Sequence, residues 1–135
     1  MINLPHARLV WLGGLAGLIP FYFSAIGVQT GWVDVLMFKS YSVIILSFLS
    51  GVVWWYGLQQ SDRASIVVAL AIPALAWLFF LLPLTLMLLL LAIAYLVLWG
   101  WEMFRLRPLY SASYVTLRSV LTVFVLLAHG WVIWI

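Results

Sequence analysis

Cysteine is absent from the sequence, so no disulfide, thiolate metal site or redox-active dithiol can contribute to the fold or to any chemistry. Charged side chains are also scarce, with six basic and three acidic residues among 135, or 7% of the chain, against about 25% in soluble domains. The basic residues form no cluster that could follow a phosphate backbone, so the net charge of +3 does not indicate nucleic-acid binding. Because 68% of the residues are hydrophobic, the composition predicts a protein whose main partner is the lipid bilayer.

Catalytic motifs are missing as well. The sequence contains no G-x-S-x-G elbow, H-E-x-x-H pair, P-loop or dinucleotide-binding fingerprint. Its three acidic residues, Asp34, Asp62 and Glu102, fall in loops or at the ends of apolar runs, whereas a proton-coupled transporter needs an acidic residue near the centre of the bilayer. We therefore expect neither an enzyme nor an active transporter. No residue pattern indicates a metal site or specifies a cofactor.

Five apolar stretches are each close to the ~20 residues that a helix needs to cross a bilayer. They cover residues 9–28, 40–58, 65–82, 84–101 and 115–135. The third and fourth are nearly continuous, but Pro83 lacks a backbone donor and predicts a tight turn between two helices. The first stretch is longer than the roughly 7–15 residues of a signal-peptide core, so we expect it to be a membrane span. The sequence thus predicts an all-α bundle of five transmembrane helices that forms a single domain, residues 1–135.

The distribution of basic residues predicts the orientation of the bundle. One side of the membrane would receive five arginines: Arg8, Arg63, Arg105, Arg107 and Arg118. The opposite side would receive only Lys39. By the positive-inside rule the N-terminus is then cytoplasmic and the C-terminus lies outside. Of nine tryptophans, all but Trp77 fall near a predicted membrane boundary, where indole rings prefer to lie.

Two loops have recognisable features. Residues 31–38, between the first two spans, could form a short helix that lies in the outer membrane interface. In the loop between the second and third spans, Ser61 or Asp62 is suited to cap the third helix.

Small and polar residues recur at helical spacing on the first two spans. The first span contains a stripe with a predicted kink, formed by Gly13, Gly17, Pro20 and Ser24. The second contains a similar stripe, formed by Ser47, Ser50, Gly51 and Trp54. Helix packing is the simpler interpretation, since glycine lets backbones approach and serine can bond across helices. Lining of a ligand cavity is the alternative.

The last two spans each have one polar face. On the fourth span the face comprises Tyr95, Trp99 and Glu102, and on the fifth it comprises Arg118, Thr122, Val125 and His129. These spans are expected to be antiparallel neighbours, which would place Glu102 and Arg118 at similar depth, where an ion pair offsets the cost of each charge. The pair would serve either as an interfacial anchor or as the polar mouth of a pocket. His129 has no acidic or histidine neighbour at helical spacing. This pattern favours an interhelical hydrogen bond, with axial ligation of a haem or metal as the alternative.

Three segments resemble a known family. They are Leu12–Phe21, Tyr41–Leu58 and Leu117–Thr122, and together they resemble the transmembrane-protein-69-like family, a membrane domain of unknown function in bacteria and mitochondria. The family's middle segment reads S-F-L-G-G-x-x-W-G, from which this chain departs at Ser50 and Trp55. The resemblance implies a five-span fold and a location in the bacterial inner membrane, or its mitochondrial descendant, as a multi-pass protein.

A second, looser resemblance involves the third span. Its segment Ala76–Phe80 is similar to part of the tryptophan-rich sensory or translocator (TSPO) proteins, which are five-helix chains that bind porphyrins and sterols. The resemblance implies that the ring of Trp77 faces a cavity of the bundle and stacks on an aromatic ligand.

The leading hypothesis from the sequence is a non-enzymatic membrane protein that binds a hydrophobic or lipid-like ligand, such as a tetrapyrrole, a quinone or a phospholipid, between its helices. The predicted ligand-binding residues are Ser47, Ser50, Trp54, Trp77, Tyr95, Trp99, Glu102, Arg118, Thr122 and His129. Arg118 would pair with a carboxylate or phosphate of the ligand, and its replacement by leucine would abolish ligand retention without disturbing the fold. The alternatives are an accessory or assembly subunit of a larger membrane complex, and a passive small-molecule transporter acting as a homo-oligomer.

Overall fold

The computed structural model describes residues 7–135, which are almost entirely helical. Its α-helices are α1 (Ala7–Ala16), α2 (Ile19–Gln29), α3 (Val35–Gln59), α4 (Arg63–Leu78), α5 (Leu84–Trp101) and α6 (Ala112–Trp134). They form five stretches that are long and apolar enough to cross a membrane: Arg8–Gln29, Val35–Gln59, Arg63–Leu81, Leu84–Leu109 and Ala112–Trp134. The prediction of an all-α protein with five such helices is confirmed.

The first span is broken near its middle. Helix α1 ends at Ala16 and α2 begins at Ile19, with Pro20 in the first turn of α2. Proline has no N–H to donate to the preceding turn, which explains why the helix is interrupted at this point. The hydroxyl of Tyr41 donates a 2.8 Å hydrogen bond to the carbonyl of Gly17 in the break. The kink that the glycine–proline stripe predicted is therefore present, as a break with an external hydrogen-bond partner.

The second span begins earlier than its hydropathy suggested. The side chain of Asp34 caps α3 by accepting a 2.7 Å hydrogen bond from the N–H of Leu36, so the helix begins at Val35 and not near residue 40. The prediction of a separate interfacial helix over residues 31–38 is wrong, because residues 35–38 are the first turn of α3. Gly31 precedes this turn with φ of +74°, a conformation that glycine adopts without steric cost.

Helices α3 and α4 form a tightly packed hairpin. Asp62 caps α4 through the N–H of Ser65, as one of the two predicted capping residues. At Gly57 of α3 a Cβ atom would lie only 3.1 Å from Cγ1 of Ile66 on α4. The two backbones approach closely at this point because glycine has no side chain.

The turn expected at Pro83 is confirmed. A 3₁₀ turn, Phe79–Leu81, ends α4, Leu82 is extended, and Pro83 precedes the first residue of α5. At the other end of α5, the helical path continues beyond Trp101. It widens into a π-helical turn, Glu102–Leu106, and a 3₁₀ turn, Arg107–Leu109, before α6 begins. Wide turns of this kind are frequent at functional sites.

Side-chain contacts show which loops share an end of the bundle. At one end, called the basic end here, Arg105 pairs with Asp62 at 2.7 Å, and the α1 and α6 starts meet where the Trp11 indole donates to Ser113 at 2.8 Å. At the opposite end the Trp131 indole donates to the Gln29 side chain at 2.9 Å. The basic end therefore contains the start of α1, the α3–α4 turn and the α5–α6 loop. Which side of a membrane this end faces stays a prediction.

The core lies among α2, α3, α5 and α6. Helix α5 packs against α6 and α3, α2 packs against α3 and α6, and α4 covers the remaining face of α3. The largest apolar side chains that are fully buried there include Phe21, Phe38, Leu46, Met87 and Leu91. Most other large apolar side chains are exposed on the outside of the bundle, as expected for a surface in contact with lipid tails.

Candidate functional site

A buried ion pair lies just inside the basic end. Nε and Nη2 of Arg118 both donate to the carboxylate of Glu102, the Nε contact at 3.0 Å to Oε2 and the Nη2 contact to Oε1. Glu102 is 0% exposed and Arg118 is 3% exposed. The two-point contact is the geometry in which a guanidinium and a carboxylate bind most strongly. The predicted ion pair between these residues is thus confirmed, but it lies in the interior of the bundle and not at its surface.

Tyr110, in the α5–α6 loop, completes this cluster. Its hydroxyl donates a 2.9 Å hydrogen bond to Oε2 of Glu102, so the carboxylate accepts three hydrogen bonds. Burial and the neighbouring carboxylate of Glu102 both raise the pKa of Tyr110 above its ordinary value of 10, so the hydroxyl stays protonated and remains a donor. The π-helical turn Glu102–Leu106 and the 3₁₀ turn Arg107–Leu109 lie between the two residues in this contact. Together Glu102, Arg118 and Tyr110 are called the carboxylate cluster.

The guanidinium of Arg118 has donors that the carboxylate cluster does not use. An arginine side chain presents five N–H groups, and Glu102 accepts from Nε and Nη2 only. No hydrogen bond among residues 7–135 uses Nη1, and this nitrogen is not among the buried side-chain atoms without a partner. Nη1 therefore keeps some accessible surface. Arg118 lines two adjoining cavities, so this surface borders them.

The first cavity, called the chamber, has a volume of about 120 Å³ and lies between the broken first span and helices α3, α5 and α6. The second, called the cleft, has a volume of about 440 Å³ and extends the chamber towards the basic end between α1, α3 and α6. Both are lined by Gly13, Gly14, Phe48, Leu49, Arg118 and Leu121. The cleft exists because α1 packs mainly against α6, whereas only α2 packs firmly on α3.

Glycines of α1 keep these cavities open. A Cβ atom added at Gly13 would meet no atom within 4 Å, so a larger side chain there would project into free space. At Gly14 the same atom would lie 3.2 Å from Cδ1 of Leu121, which shows that this glycine lets α1 approach α6. Gly13, a member of the predicted stripe, thus lines both cavities, whereas Gly14, which that stripe did not include, packs against α6.

Two further polar residues line the chamber. The hydroxyl of Tyr95 is occupied by a 2.6 Å hydrogen bond to the carbonyl of Ser42. The hydroxyl of Thr122 donates at 2.8 Å to the carbonyl of Arg118 in its own helix, which leaves its oxygen lone pairs as acceptors. The remaining lining residues are apolar. The chamber is therefore an apolar space with one cationic donor edge, that of Arg118.

His129 lies deeper in the bundle and is fully buried. Its Nδ1 is 2.8 Å from the carbonyl of Val125, so Nδ1 must be protonated to make this hydrogen bond. In the neutral ring Nε2 is then an acceptor, and the hydroxyl of Ser42, 2.7 Å away, is its donor. Both ring nitrogens are occupied by protein partners, as expected of an interhelical hydrogen bond. Axial ligation of a haem or metal would require Nε2 to give up its hydrogen bond with Ser42.

The other predicted site residues are not brought together. The hydroxyl of Ser47 donates to the carbonyl of Val43 in its own helix, and the indole of Trp99 donates to Ser119 at 3.1 Å. Trp54 lies on the outer surface. Trp77 is 70% exposed, so the expectation that its ring faces a cavity of the bundle is wrong. The physical reason is that α4 buries only one narrow stripe, which includes Ala76, and Trp77 lies outside that stripe, about 100° further round the helix.

Ser50 is a separate case. Its Oγ is buried and has no hydrogen-bond partner among residues 7–135. It lies two helical turns, or roughly 12 Å, beyond Ser42 in the direction of the carboxylate cluster. Ser50 is not among the residues that line the chamber or the cleft.

Several residues of the site were missed by sequence reasoning. Tyr110 is in a loop, and nothing in its spacing from Glu102 indicates that the two side chains meet. Ser42 was not connected with His129, although it lies on the same face of α3 as Ser50, eight residues away. Gly14 could have been found, because it neighbours Gly13 and together with Gly17 gives two small residues in helical register.

A second network lies on the surface of the basic end. The carboxylate of Asp62 accepts from Arg105 and from the hydroxyl of Ser65, at 2.7 Å in each case. These hydrogen bonds, that from Arg105 first, hold the pKa of the Asp62 carboxyl below its ordinary value of 3.8. The indole of Trp101 donates to the same serine at 2.9 Å. This network joins the α3–α4 turn to α5 and touches neither cavity.

No group of three or more histidine, aspartate or glutamate side chains is placed to hold a metal ion anywhere in residues 7–135. The site is therefore defined by the carboxylate cluster, the chamber and the cleft. This site can offer the hydrogen-bond donors of a guanidinium to a molecule that enters between α1 and α3. The space around these donors is otherwise apolar.

The sequence was compared with known protein families. The family described as "Protein of unknown function (DUF3429)" matches residues 6–134. The chain belongs to this family. Because the DUF3429 match covers all five spans, the carboxylate cluster and both cavities lie within the family's domain. No curated protein and no solved structure matches the chain.

Proposed function

We propose that this DUF3429 protein is a non-enzymatic membrane protein that binds a hydrophobic or lipid-like ligand in the chamber and the cleft. One observation supports this function above the others. Arg118 is 3% exposed, and the donors that Glu102 does not use face an apolar cavity. A donor that borders such a cavity is left without an acceptor when an apolar molecule fills it, at a cost of roughly 1–3 kcal/mol, and more when the donor belongs to a charged group. A ligand that supplies the acceptor removes this cost.

The position of the cavities also favours a ligand from the membrane. The cleft lies between α1 and α3 on the flank of the bundle, and its walls include Leu9, Val10 and Val52. Apolar walls and few polar groups are typical of sites for hydrophobic small molecules. A molecule dissolved in the bilayer would reach Arg118 without crossing the aqueous phase.

The resemblances to the transmembrane-protein-69-like family and, more loosely, to the TSPO proteins remain part of this proposal. Within it, the stacking role of Trp77 is withdrawn, because that ring faces lipid. We further propose that the basic end is cytoplasmic and that the membrane is the bacterial inner membrane. The positive-inside rule supports this orientation, since Arg63, Arg105 and Arg107 all lie at that end. The test is a fusion, after Ile135, to a reporter enzyme that is active only outside the cytoplasm. We expect this fusion to be active, because the proposed orientation places the C-terminus outside.

A second candidate function is an accessory or assembly subunit of a larger membrane complex. It is favoured by glycines on the outer surface, where a Cβ atom at Gly51, Gly100 or Gly130 would meet nothing within 4 Å. Small residues on a lipid-facing surface let another helix approach closely. Passive transport of a small molecule through a homo-oligomer would use the same surface.

The binding function is tested by releasing the protein from its native membrane in mild detergent and recording its native mass spectrum and its absorption spectrum. We expect a stoichiometric adduct on the wild-type protein. The adduct should be lost in Gly13→Leu, whose side chain would fill the chamber, and retained in Gly51→Leu, a matched change on the outer surface. A bare chain in all three samples contradicts the proposal, and stoichiometric membrane proteins in place of the adduct would support an accessory subunit.

A further inference from the structure

The carboxylate cluster also restricts the charge of the ligand. Arg118 is the only charged residue, among residues 7–135, that lines the chamber or the cleft. Its charge is already balanced by Glu102, which is bound at two points and is itself held by Tyr110. The pair is therefore electrically neutral as a unit. The sequence suggested that Arg118 pairs with an anionic group of the ligand. In the structure Arg118 already has its counter-charge in Glu102.

Binding of an anionic ligand at this site would be unfavourable. Its charge would lie next to one guanidinium that already binds a carboxylate, in a cavity with apolar walls. Burial of an unbalanced charge costs several kcal/mol after relaxation. A carboxylate or phosphate could bind only by displacing Glu102, whose three hydrogen bonds would then be broken.

The free edge of the guanidinium restricts the polar group of the ligand. Arginine N–H groups are donors only, so the ligand must present an acceptor. A hydrocarbon without an acceptor would fill the chamber but leave these donors unpaired, at the cost of a buried and unsatisfied group. A neutral carbonyl oxygen satisfies both requirements, since it accepts hydrogen bonds and brings no charge.

The volumes restrict the size of the ligand. A cavity of about 150 Å³ in another protein binds a benzene ring, so the chamber, at about 120 Å³, accommodates a head of about one six-membered ring. A tetrapyrrole has four pyrrole rings and does not fit the chamber. The cleft, at about 440 Å³, lies on the flank of the bundle and suits a flexible tail.

We infer that the ligand of this site is an electrically neutral lipid with a carbonyl-bearing head of about one ring, which accepts a hydrogen bond from Nη1 of Arg118, and an apolar tail that lies in the cleft. This inference rests on the proposed binding function and narrows it. Quinone-type lipids belong to this class, whereas phospholipids, fatty acids and tetrapyrroles do not.

Three probes with the same ten-carbon tail separate the possibilities: decyl-1,4-benzoquinone, decanoate and decylbenzene. Their affinities are measured at pH 8 on the purified full-length protein in detergent, by native mass spectrometry and by the shift of the melting temperature. We expect the quinone to bind roughly 10- to 100-fold more tightly than decylbenzene, the range for one hydrogen bond from a charged donor. Decanoate should bind no more tightly than decylbenzene.

Variants show whether the difference arises at the site. Gly13→Leu should weaken binding of the quinone and of decylbenzene, whereas Gly51→Leu should leave both unchanged. In the double variant Glu102→Gln/Arg118→Met the quinone should lose its advantage over decylbenzene, because the donor is gone while the cavity remains. Wild-type protein that binds decanoate most tightly, or all three probes equally, overturns the inference. If none of the probes binds but a native adduct is found, the inference fails and the binding function stands; if there is no adduct either, both fail.

Discussion

Neutralising Glu102 is expected to destabilise the protein strongly. Glu102→Gln keeps the shape of the side chain and an oxygen for Tyr110, but it removes the counter-charge of Arg118, which is 3% exposed. Breaking a buried ion pair by changing one partner costs about 3–5 kcal/mol, because the other charge is left uncompensated. At about 1.4 kcal/mol per factor of ten, the ratio of folded to unfolded protein should fall roughly 10²- to 10⁴-fold.

The assay is reversible unfolding in mixed detergent micelles, followed by the loss of helical circular dichroism as the denaturing detergent increases. The double variant Glu102→Gln/Arg118→Met is the control, because it leaves no buried charge without a counter-charge and keeps an acceptor oxygen for Tyr110. It should recover most of the stability that the single variant loses. A Glu102→Gln protein as stable as the wild type would refute the reasoning, because the two side chains could not then form a buried pair.

Arg118 has to be tested together with Glu102. Arg118→Leu alone leaves the carboxylate of Glu102 buried without its counter-charge, so the fold would not be left undisturbed, as the sequence suggested. A loss of ligand in that variant could then reflect unfolding. The double variant separates the two effects, because it removes the donor and the buried charge together.

Three further predictions concern other contacts. Tyr110→Phe removes one hydrogen bond to the buried carboxylate and should lower the free energy of unfolding by about 1.5–3 kcal/mol in the same assay. Gly57→Ala should destabilise the α3–α4 hairpin, because its Cβ would lie 3.1 Å from a side-chain atom of α4, whereas Gly51→Ala should not. The depressed pKa of Asp62 stabilises the folded state above the ordinary value of 3.8 and ceases to do so as the pH falls through the lower, folded-state pKa. Asp62→Asn should therefore reduce stability at neutral pH, and its difference from the wild type should disappear in acid.

Each of these predictions has a result that would contradict it. Equal stability of Tyr110→Phe and wild type would mean that the tyrosine does not donate to the carboxylate. Equal effects of the two glycine substitutions would mean that helix propensity, and not close approach of α3 and α4, decides the outcome. A stability difference for Asp62→Asn that persists unchanged at pH 2 would remove the link to its carboxyl pKa.

The spans could be predicted because their signals are local. Hydropathy locates each apolar run, and proline at residue 83 ends one helix and starts the next, whatever surrounds it. The facing positions of Glu102 and Arg118 also followed from helical periodicity and a short connection. Helix ends were less accurate, because capping by Asp34 and the π-helical turn after Trp101 depend on backbone geometry that composition does not encode.

The cavities could not be predicted, because they depend on how whole helices pack. Gly13 belongs to a stripe that predicts close packing, yet the separation of α1 from α3 makes it line a cavity. The outward position of Trp77 likewise depends on which face of α4 meets α3. Tyr110 lies in a loop, where no periodicity applies, and its hydrogen bond to Glu102 requires the three-dimensional path of the chain.

The most direct test of the binding function is an experimental structure of the protein extracted together with its native lipids. We expect density for a small, ring-sized head in the chamber, with an acceptor atom within hydrogen-bond distance of Nη1 of Arg118 and a tail in the cleft. A chamber closed by side chains, or one in which Nη1 of Arg118 is satisfied by the protein itself, would contradict it.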